Sequence, residues 1–242
     1  MEKFEHLQIV LRNLQDDERT IMQKIKNPDE RYHYISFLEG FNIVHAISCI
    51  YIDNDKHTAK EHFYKAAASM LYMSKAYDWR VMDTGINQIS SALLSDDKEM
   101  IEDYMALRNT TNNESTIGFQ LPNAIQNTLA NNYDELEANI RNLERFVLLT
   151  KFKAYEGTVG VFKGIMSNNT DQIIIGLNQL LKTHKKRNTD PLISKFLSID
   201  TAGLCKLAWL KGLQINLEND LVPQTLMPVE PLQSYKTYDF LS

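Results

Sequence analysis

Three short polar breaks, each with an apolar face on either side, limit what this chain can become more than anything else in it. They lie in "SALLSDDKEMIED" (91–103), "NTLANNYDELEAN" (127–139) and "GIMSNNTDQIIIG" (164–176). After Asp97 the apolar positions are Met100, Ile101, Tyr104, Met105 and Leu107. After Asn132 they are Tyr133, Leu136, Ile140, Leu143 and Val147, and after Asn169 they are Ile173, Ile174, Leu177, Leu180 and Leu181. Steps of three and four put each set on one helical face. The preceding segments do the same with Ile86, Ile89 and Leu93, with Ile125 and Leu129, and with Val159, Phe162 and Met166. Small polar side chains at the breaks accept hydrogen bonds from the free N–H groups of a helix start, and carboxylates in the following turn suit the helix dipole. Each break therefore predicts an αα-hairpin.

The breaks recur 35 and 37 residues apart, at Asp97, Asn132 and Asn169. A helix pair repeated at this period predicts stacked antiparallel hairpins, either as an α-solenoid or as an irregular helical bundle. Tetratricopeptide spacing of Trp, Gly, Tyr, Ala and Pro is missing. Only 9 Gly and 6 Pro occur in 242 residues, too few for the turns of a β protein. The flanks extend the all-α reading: a polar amphipathic helix over 3–25 stopped by Asn27-Pro28, an apolar helix over 30–52, a third begun by "DNDK" (53–56), and a long helix over 190–213 opening at Asp190-Pro191. The chain reads as one all-helical domain over 1–242, with a candidate sub-boundary in the Asn/Thr/Ser-rich loop 109–120. Pro223, Pro228 and Pro231 rule out regular helix beyond 219. The apolar "SYKTYDFL" predicts that this extended tail, 219–242, docks on the body.

Charge is uneven. Residues 1–121 carry 13 Lys+Arg against 19 Asp+Glu (net −6), and residues 122–242 carry 13 against 12 (net +1). An acidic half disfavours phosphate backbones and favours a basic partner. The N-terminus shows no basic region followed by an apolar one. The longest apolar stretch, "FNIVHAISCIYI" (41–52), is too short to cross a bilayer. A cytosolic protein with no membrane and no nucleic-acid role is expected. Cys49 and Cys205 cannot build a disulfide framework or a zinc site.

Motifs for chemistry are sparse. The six histidines make no HExxH and no ligand pair with a third ligand in view, so no metal and no cofactor is expected. There is no GxSxG elbow. "YEGTVGVFKG" (155–164) lacks the Gly-Lys-Ser/Thr ending of a phosphate loop, and its Gly157, Gly160 and Gly164 share one helical face, as close helix packing requires. "KTHKKR" (182–187) places cations at a helix end, where the dipole favours them. Asp96, Asp97, Glu99, Glu102 and Asp103 crowd one helix start, with Asp78 and Asp83 upstream. Their reading is capping and a solvated face, or a docking patch for a basic protein.

The segment "FLSIDTAGLCKLAWLKGLQINLENDLVPQTLMP" (196–228) resembles the close of the Imm49-like immunity proteins of bacterial polymorphic-toxin systems. The likeness lies in the apolar helix "LCKLAWLKG", the following "LQINLEND", and Val222-Pro223 with Leu226. The mid-chain "ALLSDD" and "TLANNY" resemble that group's small-polar breaks in apolar helices. The resemblance implies a helical protein that binds and neutralises a cognate toxin and carries no catalytic residues. The docking patch would then be Asp96, Asp97, Glu99, Glu102 and Asp103, facing a basic surface of the toxin. A helical-repeat adaptor is the alternative, with a groove lined by Asn127, Asn131, Asn139 and Asn142. An enzyme would need a deep pocket holding Glu39 and His45 together.

Overall fold

The computed structural model describes residues 2–241, and among these no strand occurs. In chain order the helices are α1 (Glu2–Ile25), α2 (Pro28–Ser48), α3 (Lys56–Tyr77), α4 (Asn87–Ser95), α5 (Lys98–Ala106) and α6 (Ile117–Leu129). There follow α7 (Tyr133–Val147), α8 (Glu156–Met166), α9 (Thr170–Lys182), the single turn α10 (His184–Arg187) and α11 (Ile199–Leu210).

The three polar breaks form the α4–α5, α6–α7 and α8–α9 corners, and each divides its work between two adjacent residues. Asp96, Asn131 and Asn168 take left-handed backbone, with φ of 63°, 57° and 52°, which ends the incoming helix. The next residue opens the outgoing one. Asp97 accepts from the Met100 N–H at 2.7 Å and Asn169 from the Gln172 N–H at 3.0 Å, whereas Asn132 makes no such side-chain bond. Elsewhere Asn27 precedes Pro28 at the start of α2, Asp55 accepts from His57 and Thr58, and Thr116 accepts from Phe119.

Consecutive hairpins touch, α5 against α6 and α7 against α8. The N-terminal helices pack as α1 on α2 and α2 on α3, with α4 on α3. α11 lies across α4 and α9, and from Ile199 to Ala208 every residue is buried. Gly203 sits so close to Ser90 of α4 that any β-carbon would collide with that side chain. Gly157, Gly164 and Gly176 do the same for α8 against α9: a β-carbon on Gly176 would meet the Gly157 carbonyl oxygen at 2.6 Å.

Two details show how the sequence stitches non-adjacent elements. Pro122, inside α6, has no N–H for the Gly118 carbonyl, and the Gly85 N–H donates to that carbonyl instead at 3.2 Å. Asp78 accepts from the Thr110 N–H, and Asp83 from the Asn113 N–H, so both carboxylates hold the loop before α6. α2 continues through a π-helical turn, Cys49–Asp53. The combined segment Pro28–Asp53 is long and apolar enough to cross a membrane, unlike the shorter apolar stretch within it, and here half of it is buried inside the protein.

The helix expected over 190–213 is a shorter one. Asp190 turns its carboxylate onto the Leu192 and Ile193 N–H groups at 2.9 and 2.7 Å, which closes a tight turn rather than opening an α-helix. The chain then buries Phe196 and Leu197, the Ser198 N–H donates to the Leu221 carbonyl, and α11 begins at Ile199.

Candidate partner-binding surface

The acidic group at the start of α5 does not act as one patch. Asp96 is buried, with 3% of its surface exposed, and is corrected out of the docking set. Its carboxylate pairs with the Lys60 ammonium of α3 at 2.5 Å and with the Lys206 ammonium of α11. Two buried ammonium ions thus share one carboxylate, and backbone oxygens solvate them in place of water. Lys206 donates to the carbonyls of Leu226, Met227 and Pro228, Lys60 donates to the carbonyl of Glu230, and the Glu230 N–H donates to Asp96. Burial pushes the Lys206 ammonium down to about 8, against the pull of Asp96. The cluster holds the segment 226–230 against α3, α4 and α11.

Asp97 is half-buried as the cap of α5, while Glu99, Glu102 and Asp103 are exposed. Glu102 lies 3.6 Å from Lys98 and Asp103 lies 2.9 Å from Lys75, both surface pairs worth about 0–1 kcal/mol each and easily exchanged for others. Glu99 has no ion-pair partner among the described residues. Asp103 and its partner Lys75 line a groove of about 380 Å³ floored by Tyr64, Ala68, Leu71 and Met100 and closed by Thr237 and Leu241 of the C-terminal segment, and Asp97 and Glu99 lie near Tyr64. Tyr64 stacks on Tyr235 at 4.8 Å, and the Tyr235 hydroxyl donates to the Ser95 carbonyl. Burial, with the nearby carboxylates Asp97 and Asp96, raises the Tyr235 phenol to about 12. The floor is apolar and the edge is charged, the general make-up of an interface with an apolar centre and a polar rim.

The groove-lining asparagines of an adaptor are elsewhere. Asn127 and Asn139 are buried and bonded to each other at 2.7 Å, Asn139 also reaches Gln120 and Asn123, and Asn142 reaches Gln120. These amides join α6 to α7 from within, and only Asn131 is exposed. The concavity among the hairpins is a groove of about 630 Å³ across α8, between Arg141 and Arg145 of α7 and Gln172 and Gln179 of α9.

Glu39 and His45 do not meet in one pocket. His45 donates to Glu18 at 3.1 Å and stacks on His62 at 5.0 Å. His62 donates to Asn42, Asn42 to the Tyr238 hydroxyl, and Tyr238 back to Glu18, closing a ring of polar side chains from α1, α2, α3 and the C-terminal segment. Burial and the adjacent His45 depress His62 to about 4. Both cysteines are buried, and burial raises the Cys49 and Cys205 thiols to about 11 and about 12. Among the described residues no three His, Cys, Asp or Glu side chains are placed to hold a metal.

Sequence reasoning missed Lys60, Lys206 and the groove. The one legible signal was Lys206 within "LCKLAWL", a charge with apolar neighbours on every helical face. A family model described as Immunity protein 49 matches residues 53–226. No curated protein and no solved structure matches the chain.

Proposed function

The chain belongs to the Immunity protein 49 family, and from that premise we propose that it binds a cognate toxin domain in the cytoplasm and blocks it by occupancy, without chemistry of its own. The docking face in this reading is the groove between α3, α5 and the C-terminal segment, lined by Asp103 and Lys75, with Asp97 and Glu99 beside Tyr64 and Glu102 exposed on the same helix α5. The observation that carries it is the pairing of an apolar floor with Glu99, Glu102 and Asp103, carboxylates without a buried partner or held only by exchangeable surface pairs. A basic toxin surface would be drawn in by the rim and held by the floor.

The test is co-expression with the toxin domain encoded beside this protein's gene. Cells survive with the wild-type protein, and survival is lost when Glu99, Glu102 and Asp103 are together changed to lysine. If cells die with the wild-type protein present, the toxin reading fails; if the triple variant protects fully, the face is wrong.

A further inference from the structure

A second, smaller cleft of about 250 Å³ lies on another part of the molecule, between α2, the start of α4 and the turn that follows α10. It is below the roughly 300–1,000 Å³ of sites that hold drug-sized ligands, so it suits a single side chain or a molecule of that size. Its chemistry is one-sided. Glu39 projects from α2, and among the described residues the only hydrogen bond to its carboxylate is a long one of 3.5 Å from Gln88. Burial raises this carboxyl to about 7, the mark of a carboxylate without a cation beside it. Asp190, exposed at the edge of the cleft, spends one oxygen, Oδ1, on two backbone N–H groups, and its Oδ2 has no hydrogen bond among the described residues. Asn188 turns its NH2 inward to His184 and Asp200, which leaves its oxygen as an acceptor.

The cation among the lining residues is already committed. Arg187 is paired with the buried Asp200 at 2.7 Å through Nε, and its Nη1 donates to the carbonyls of Ala154 and Leu180 and to the Thr183 hydroxyl. The cleft therefore offers two carboxylates and amide oxygens with no free positive group, and an anion has nothing to bind there. We propose that the cleft bounded by Glu39, Asn188 and Asp190 is a binding site for a guanidinium or primary ammonium group. A planar or trigonal set of N–H donors fits acceptors arranged around a small cavity, and a desolvated carboxylate gains most from such a partner. The group could come from a free amine or guanidine, or from an arginine or lysine side chain of the bound toxin; only the second source rests on the immunity reading above.

The test uses the isolated full-length protein at pH 8, where Glu39 is ionised, with propylguanidinium as probe and choline as an equally charged cation that lacks N–H donors. Calorimetry should show saturable one-site binding of propylguanidinium and none of choline. Glu39→Gln should weaken the probe by about ten- to a hundredfold, the loss of one or two charge-assisted hydrogen bonds, with the exposed Glu135→Gln variant unchanged. No saturable binding to the folded wild-type protein, equal binding of choline, or an unaffected Glu39→Gln variant would overturn the site. The source is read separately. If propylguanidinium displaces a pre-formed toxin complex and Glu39→Gln weakens that complex, the cation is the partner's side chain. If the complex is indifferent while the probe binds, the ligand is a free small cation. Probe binding is measured without toxin, so a failed rescue in cells and a failed site are distinct results.

Discussion

Asp96 and Asp97 are adjacent, identical in chemistry, and indistinguishable in sequence, yet one is interior and the other is a helix cap. What separates them is backbone hand: the left-handed turn at Asp96 directs its carboxylate between α3 and α11, and the extended residue after it faces the first N–H groups of α5. Removing the buried carboxylate strands two ammonium ions, so Asp96→Asn should cost about 3–5 kcal/mol of stability, whereas Asp97→Ala should cost about 1 kcal/mol as the loss of a cap. Urea unfolding of the two variants side by side checks this, and equal losses would mean that the buried cluster contributes nothing special. The capping role of these corners was legible because Asp and Asn next to an apolar period have few other uses. The interior role of Asp96 was not, because it depends on Lys60 and Lys206, which are 36 and 110 residues away.

At the scale of elements, the seam between α8 and α9 was readable from glycines alone, and the structure adds which of them matter. A β-carbon at Gly157 would collide with the Gly176 carbonyl oxygen, whereas one at Gly160 would come no nearer than 3.4 Å to the backbone of α9. Gly157→Ala should therefore destabilise by about 1–3 kcal/mol through overpacking. Gly160→Ala should be neutral or stabilising by up to about 1 kcal/mol, since alanine is the better helix former. Thermal unfolding that ranks the two the other way would refute the seam. The helix misread at 190–198 shows the opposite case. Asp190-Pro191 is a good helix opening by local rules, but tertiary burial of Phe196 and the pairing of Ser198 with the Leu221 carbonyl prevail over it.

The ring of Glu18, His45, His62, Asn42 and Tyr238 gives the C-terminal segment a pH dependence. The unfolded chain protonates His62 near its ordinary 6.5, while the folded one resists until about 4, so this stability is complete above 6.5 and is lost as pH falls towards 4. Glu18, held low by its bond from His45, adds a loss of the same sign at lower pH. Glu39 has the opposite sign over part of the same window, but it is common to both proteins in the comparison. Between pH 7 and 5 the thermal midpoint of wild type should fall more than that of His62→Gln; parallel falls would sink the assignment.

At the scale of the whole molecule, the all-α class and the hairpin stack followed from periodicity, because helical faces repeat locally. The groove proposed for docking did not, because α3, α5 and residues 237–241 come together only in the folded chain. If the acidic rim steers a basic toxin, reversing Glu99, Glu102 and Asp103 should slow association by roughly tenfold or more at low salt while changing dissociation less, and stopped-flow mixing at two ionic strengths separates the two. The stretch matched by the family, 53–226, omits α1, α2 and the last residues, and those outer pieces pack on one another through Tyr238 with Asn42 and Phe240 over Arg31.

The shared carboxylate of Lys60 and Lys206 has a consequence for when this protein becomes whole. Helices α1 to α11 all end at or before Leu210, upstream of the backbone oxygens of residues 226–230 that solvate the two ammonium groups. Without that stretch the two ammonium groups have only the Asp96 carboxylate in place of water, and burying both of them becomes costly. A chain truncated just before residue 226 should therefore keep the sequence of every helix and still be markedly less stable than the 242-residue chain, which thermal unfolding of the two would show.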